Sequence, residues 1–498
     1  MKWVNNPDSN HGLVLFGQAG TGKSSIAYEI ARHFQNGNRL TTYFVFLRKE
    51  QSKCKDYLLF TTLARDLSNW YPSFKTVLGK AIRDNESLLE DQGYDTLFES
   101  LLLQPLKYLH TVGPILIIID ALDESGDATG RNGLHTFLAE HLAELPPNFC
   151  ILITSRLEVD IERPFAKSSF QVVRMDDSVL AAGTDKDIHL YLQKNLDPAV
   201  FKEYGDELAK KAEHLFQWAV VACGYINSPP RGLTRKDCIR SLLKLSEDYK
   251  ELGQELGPLY DLYKQVLEGY FRSESSFVHR RFRSVMGKLL VAFEPLSIDS
   301  LVALQRYSPD DQDDDESVIA IVGPLGSLLS NVTSTNQSLP IVPLHASFRD
   351  FLTDEKIGGA FYIDLSEAHH QLAHSCLDLM LRDLNSNISK FESYLPDSEV
   401  SDPQSHINEH IPHALHYACY FWDDHLKHPS LYPDPEMAGK DEKTNELALA
   451  IESRVGNVYP ILAGVCSMSY FRRCRFLIQE LPVAIDAFST VPPMDLIR

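Results

Sequence analysis

Short apolar runs alternate with amphipathic stretches over the first 165 residues or so. Gly12–Phe16 is an apolar run ahead of a glycine-rich loop, and Ser24–Phe34 behind that loop has helical spacing. Thr41–Leu47 is rich in β-branched and aromatic residues, the composition of a buried strand. Apolar residues recur at helical spacing in Tyr57–Trp70, Leu97–Leu109 and Leu134–Leu145. Ile115–Ile119 is an unbroken apolar run, as a strand buried on both faces requires, and Cys150–Thr154 repeats that pattern. Strands separated by helices predict an α/β domain: a parallel sheet with helices on both faces.

Past residue 175 the strand signal fades. Asp187–Leu196, Phe201–Ile226, Arg235–Leu252, Leu259–Tyr270, Phe282–Ala292 and Val318–Leu329 read as helices, and Ser347–Leu352 opens another. Leu339–Leu344 reads as a short strand or wing. Residues 308–317 form an acidic, solvated loop that lacks the glycine and closing glutamate of a calcium loop. From about 360 to the end, helical segments are split by polar linkers at 395–408 and 428–444, and no fixed-period repeat of the solenoid or propeller kind is present.

Length and charge narrow the classes. At about 100–200 residues per domain, 498 residues make about three domains. A hydrophobic fraction of 44% is enough for real cores and excludes bulk disorder. The net charge of −20 argues against coating nucleic acid or an anionic membrane. The polar start, MKWVNNPDSN, reads as no secretory signal, and no apolar run approaches the roughly 20 residues of a membrane helix. Eight scattered cysteines with no C-x-x-C pair read as reduced core thiols of an intracellular, cytoplasmic protein.

The chemistry concentrates in three places. Gly17, Gln18, Ala19, Gly20, Thr21, Gly22, Lys23 and Ser24 fit the phosphate-binding pattern G-x-x-x-x-G-K-[ST], between a strand and a helix. The glycines let backbone N–H groups converge on one anion, and the helix N-terminus adds its field. Lys23 reaches β- and γ-phosphates; Ser24, with Ser25 behind it, offers a hydroxyl to Mg²⁺. Asp120 ends the buried strand of ILIIIDALDE, where open α/β sheets place ligands, and its carboxylate suits Mg²⁺. Asp123 and Glu124 follow: one of them is placed to orient or deprotonate the attacking water, the alternative being that they cap the next helix. In CILITSR, Thr154 or Ser155 is placed to sense a γ-phosphate and Arg156 to neutralise it, the alternative being that Arg156 pairs with a structural carboxylate.

Asp120, Ala121, Leu122, Asp123 and Glu124, after four apolar residues, resemble the Walker B variant of NACHT-domain NTPases. Taken with GQAGTGKS and LITSR, the chain resembles fungal NOD-like receptor proteins of the STAND signalling class. The resemblance runs from residue 12 to about 430 and takes in DIHLYL (187–192), HLFQWAVVACGYI (214–226), LYDLYKQVLEGYF (259–271), LLVAFEPLSIDSL (289–301), LHASFRDFL (344–352) and HALHYACYFWDDHL (413–426). It implies a nucleotide domain at 1–170, a helical domain at 171–252, a winged-helix domain at 253–358 and a C-terminal helical region at 359–498. It also implies an ATP/ADP switch with slow hydrolysis and self-assembly on activation, GTP being left open. His345 corresponds to the winged-helix histidine that touches the β-phosphate of ADP in that class; Ala346 replaces the following aspartate. His214-Leu215-Phe216 stands where relatives have Gly-Leu-Phe, and no ligand contact is assigned there. Only 11 residues precede Gly12, fewer than an effector domain needs, and no sensor array follows, so the expectation is a switch without its input and output modules.

Other constellations count for less. Histidines gather at 369, 370 and 374 and again at 406, 410, 413 and 416; Pro412 interrupts the second group, and a helix-surface run explains it better than Zn²⁺. Helical packing accounts for Phe216, Trp218, Tyr420, Phe421 and Trp422. Two other functions are open on the residues: a P-loop small-molecule kinase, for which no Arg-rich lid is evident, and a nucleotide-stabilised scaffold without turnover.

Overall fold

A computed structural model describes residues 3–4 and 12–426 apart from 38, 40, 47–57, 86–87, 89–92, 110–112, 127–131, 246–256, 272–275, 306–315, 333–334 and 384–410. Leu47, Tyr57, Cys54, Cys466, Cys474, His406, His410, the linkers at 395–408 and 428–444 and most of the acidic run at 308–317 lie outside the described residues. The chain divides into two compact units, Met1–Pro229 with Leu233–Gln265, and Pro230–Gly232 with Val266–Arg498.

The first unit is built on five parallel strands in the order β2-β3-β4-β1-β5: β1 (Gly12–Phe16), β2 (Thr41–Val45), β3 (Ile115–Asp120), β4 (Phe149–Ser155) and β5 (Gln171–Arg174). Every residue of β3 and β4 is buried, and successive side chains serve two cores. Ile115, Ile117 and Ile119 enter one core; Leu116 and Ile118 enter the other, with Ala27, Ala31 and Phe34 of α1 (Lys23–Asn36). This two-sided covering is why ILIIID shows no polar alternation. The larger core also takes in α2 (Leu58–Trp70), α3 (Pro72–Asp84), α4 (Tyr94–Phe98), α5 (Asn132–His141) and α6 (Val159–Lys167).

Some elements differ from the sequence expectation. The helix expected over Leu97–Leu109 is α4 followed by a π-turn at Glu99–Leu103 and a last turn at Gln104–Leu106, where Pro105 lacks an amide donor. The helices α3 and α6 and the edge strand β5 were not expected; β5 is only four residues long and nowhere fully buried, so it carries little hydrophobic signal.

The same unit continues into α7 (Ser178–Asn195), α8 (Pro198–Lys211), α9 (Phe216–Asn227) and α10 (Arg235–Leu243). The single helix expected over Phe201–Ile226 is therefore two. Glu213 and His214 break it, both at positive φ, 45° and 66°. At α10 the Thr234 side chain accepts from the Asp237 amide while Asp237 accepts from the Thr234 amide, a complete capping box.

The helix α11 (Gly257–Tyr270) crosses the division between the units. The described residues of the second unit are mainly helical: α12 (Ser276–Val291), α13 (Ile298–Gln305), α14 (Glu316–Val322), α15 (Ala346–Thr353), α16 (Glu355–Gly358), α17 (Leu365–Asp383) and α18 (His413–Leu426). The expected Val318–Leu329 helix stops early, giving way to a 3-10 turn at Gly323–Leu325 that contains Pro324. At Leu339–Leu344 the structure has isolated antiparallel bridges, Ser297 with Pro340 and Leu329 with Pro343, in place of a strand; each proline removes a ladder donor. His369, grouped by sequence with its neighbours on one helix, is instead buried against His425 of α18 at 2.8 Å between Nδ1 atoms.

Candidate nucleotide site

The loop after β1 is held in a curled form by its own bonds. The Gly17 amide donates to the Ser155 carbonyl at 3.2 Å, and Thr21 Oγ1 donates to the Gln18 carbonyl at 2.9 Å. Gly20 and Gly22 take φ of 83° and 94°, which only glycine adopts without strain. Gly22 caps α1, whose own first turn carries no acidic residue.

Lys23 is 9% exposed, and its ammonium donates to the carbonyls of Gly17 (2.8 Å) and Gln18 (2.9 Å). Burial lowers its pKa to about 8; among the nearby charges Asp123 pulls it upward most, Arg156 pushes it down, and Asp120 and Glu124 pull it up. Five charged side chains from three chain segments thus share one electrostatic neighbourhood.

Strand order produces this grouping. β4 lies between β1 and β3, so its end falls between the loop and Asp120. Asp120 is 2% exposed and accepts from three hydroxyl groups. Its Oδ1 accepts from Ser24 Oγ at 3.1 Å and from Thr154 Oγ1; its Oδ2 accepts from Tyr43 Oη at 2.7 Å. Thr154 Oγ1 in turn accepts the Ala121 amide at 3.0 Å. Ala121 stands at φ 56°, a left-handed conformation unusual for alanine that turns the chain sharply after the carboxylate. A hydroxyl beside a carboxylate is a hard oxygen pair of the kind Mg²⁺ takes, and the residues fit that ion.

Asp123 is engaged elsewhere. Its Oδ1 accepts the Arg156 amide at 2.9 Å and its Oδ2 lies 3.1 Å from Arg156 Nε. Arg156 is thus paired with a carboxylate, that of Asp123. Glu124 follows in the 3-10 turn Leu122–Glu124 and is one of the charges acting on Lys23. Ser25 is exposed on α1. His345 belongs to the second unit, where it caps α15: its Nδ1 accepts the Ser347 amide at 3.1 Å and bonds Ser347 Oγ at 2.6 Å.

Sequence reading missed three features. Tyr43 is one; a tyrosine two residues from the end of the strand beside β3 was the available signal. The second is a cleft of about 870 Å³ opening from Phe16, Gly17, Gln18 and Thr21, with Met175, Leu215 and Pro258 among its apolar walls. His214, which was assigned no ligand contact, lines that cleft and pairs with Asp185 at 2.7 Å. The third is a bond from the Gln217 amide to the Gly20 carbonyl at 3.0 Å, joining α9 to the phosphate loop. Among the described residues no group of three or more His, Cys, Asp or Glu is arranged to hold a metal, and no helix is long and apolar enough to cross a membrane.

Residues 1–156 match the family model described as Nephrocystin 3, N-terminal. The vegetative incompatibility protein HET-E-1 of Podospora anserina is 24% identical over 335 residues, 62% of this chain. The chain spans 22% of that relative's length. Among solved structures, the Aeropyrum pernix ORC1 protein in complex with DNA aligns with 70% of this chain and 87% of its own at 12% identity and a TM-score of 0.29. Drosophila ORC bound to DNA aligns with 73% and 94% at 16% identity and a TM-score of 0.28. At such TM-scores neither likeness carries an argument. The family model and the fungal relative support the resemblance that the motifs carry, to NACHT-type, NOD-like receptor proteins.

Proposed function

We propose that the chain is a nucleotide-dependent switch of the NACHT type, binding ATP or ADP with Mg²⁺ and hydrolysing slowly. The convergence of Lys23, Ser24, Asp120 and the Asp123–Arg156 clamp at the ends of β1, β3 and β4 carries this reading. Loop amides and the protonated Lys23 grip the phosphates. Ser24 and Asp120 hold the ion, which when bound supplies charge neutralisation at the phosphates. Thr154 keeps the Asp120 carboxylate oriented, and of the two acids that follow Asp120, Glu124 is the one assigned to orient or deprotonate water. The cleft beside Gly17 and Thr21 suits the base and ribose, with adenine expected from the resemblance and guanine the alternative.

In the same reading, 1–170 is the nucleotide domain, 171–252 a helical domain, 253–358 a winged-helix domain and 359–498 a helical region. The contact of His345 with the β-phosphate of ADP is what the resemblance gives this residue. The name of the fungal relative suggests non-self recognition as the setting, with self-assembly of the ATP-bound form as the output. Exchange of ADP for ATP shifts the equilibrium only as far as the two states differ in nucleotide affinity.

The test is nucleotide content and Mg²⁺-dependent binding of the purified chain. Bound ADP or ATP, lost in Lys23→Ala, is the expected result; no nucleotide and no Mg²⁺-dependent binding ends the reading. Rapid phosphoryl transfer to a small acceptor would favour a kinase. A hydrolysis rate unchanged by Glu124→Gln would favour a scaffold.

A further inference from the structure

The turn that carries Asp123 and Glu124 is fixed at its front by two bonds already described, Ala121 to Thr154 and Asp123 to Arg156. Its rear is fixed differently. Ser125 closes the turn, its amide donating to the Leu122 carbonyl at 3.1 Å. The Ser125 hydroxyl is hydrogen-bonded at 3.1 Å to Nε2 of His135 on α5. Both are buried: Ser125 is 7% exposed and His135 0%.

A histidine at that position is costly. Its helix packs into the larger core through Leu134, Phe137 and Leu138, where a leucine would bury more apolar surface and no polar ring. A polar ring so placed is stable when it makes a hydrogen bond, and the Ser125 hydroxyl, one residue after Glu124, is its partner. Glu124 therefore sits between two anchored neighbours, Asp123 held by Arg156 and Ser125 held by His135.

We propose that His135 is a positioning residue for Glu124, acting through Ser125. The inference rests on the reading of Glu124 as the water-orienting acid. Without the His135 bond the rear of the turn is free to shift, and a displacement of about 1 Å in a reacting group costs about 100-fold in rate.

The experiment uses the full chain in wild-type, His135→Leu, His135→Gln, Ser125→Ala and Glu124→Gln forms, with and without His135→Leu in the last. It reads the Kd of Mg·ATP, the single-turnover hydrolysis rate and amide hydrogen exchange over 121–125. His135→Leu is expected to leave Kd within about threefold, as α5 does not line the phosphate loop, while hydrolysis falls by about 10–100-fold. Exchange at Leu122–Ser125 is expected to quicken while Gly17–Ser24 stay as in wild type. His135→Gln, which can still bond the Ser125 hydroxyl, is expected to recover most of the rate. Ser125→Ala should match His135→Leu, and His135→Leu should cost nothing further in Glu124→Gln, because residues acting as one unit are not additive. An unchanged exchange rate at Leu122–Ser125 in His135→Leu overturns the proposal, even for a protein with no measurable turnover. So does an equal loss of rate in the wild-type and Glu124→Gln backgrounds. Failure of the wild-type chain to bind nucleotide defeats the functional reading instead; full turnover by Glu124→Gln defeats the role of Glu124, and the proposal with it.

Discussion

The backbone amide of Gln217 donates to the carbonyl of Gly20 at 3.0 Å, tying the first turn of α9 to the middle of the phosphate loop. A Cβ added at Gly20 would lie 3.0 Å from the Gln217 Cβ, at a residue whose φ is 83°. Gly20→Ala therefore meets a left-handed penalty of about 1–2 kcal/mol and a tight contact in addition. The expected outcome is a lower unfolding midpoint in denaturant and at least a tenfold weaker Kd for Mg·ATP, as the loop and α9 move apart. Equilibrium unfolding and nucleotide titration check both.

Lys23 supplies a pH dependence. Its pKa in the ligand-free protein is lowered to about 8, and phosphate oxygens raise it on binding. Between the two values binding takes up a proton, so Kd should weaken as pH rises from 8 to 9, approaching tenfold per pH unit. Calorimetry in buffers of different ionisation heat should show proton uptake at pH 8–9 and little at pH 6.5. For folding alone the sign is opposite: between about 8 and 10.5 the unfolded chain holds more protons at this lysine, so its contribution to stability grows with pH there.

Tyr43→Phe removes one of the donors to Asp120 and leaves the ring's packing in place. A loss of about 1.5–3 kcal/mol in stability is expected, typical of a hydrogen bond to a charged group, with nucleotide affinity changed by less than about threefold. Asp120→Ala is different in kind. It strands the hydroxyls of Tyr43 and Thr154 and removes the ion's carboxylate, so Mg²⁺ should no longer strengthen nucleotide binding.

Arg156→Ala breaks the clamp on Asp123, whose side chain is only 6% exposed. Leaving that carboxylate without its cation is expected to cost about 1–3 kcal/mol. The ratio of ATP to ADP affinity distinguishes the two roles of Arg156. A ratio unchanged from wild type marks a clamp alone; a selective loss of ATP affinity marks contact with the γ-phosphate as well.

In the second unit, burial lowers the pKa of His370 and of His416 below 6.5. The unfolded chain then binds more protons than the folded one as pH falls through 6.5, so their contribution is present above that value and lost below it. Denaturant midpoints measured from pH 7.5 to 5 should fall, and His370→Gln should flatten that fall.

The local order of apolar and polar residues determined much of this protein by itself. ILIIID has no polar alternation because both faces of β3 are covered, and the glycine, lysine and serine of GQAGTGKS carry their chemistry wherever they lie. Tertiary structure decided what those residues face. Placing β4 between β1 and β3 sets Thr154 on Asp120 and Arg156 on Asp123, two pairings that no spacing along the chain encodes. The same holds for Tyr43 on Asp120, His135 on Ser125, His214 in the cleft wall and Gln217 on Gly20. Each joins residues from different elements, and hydrophobic periodicity fixes which face of an element is buried but not which neighbour it is buried against.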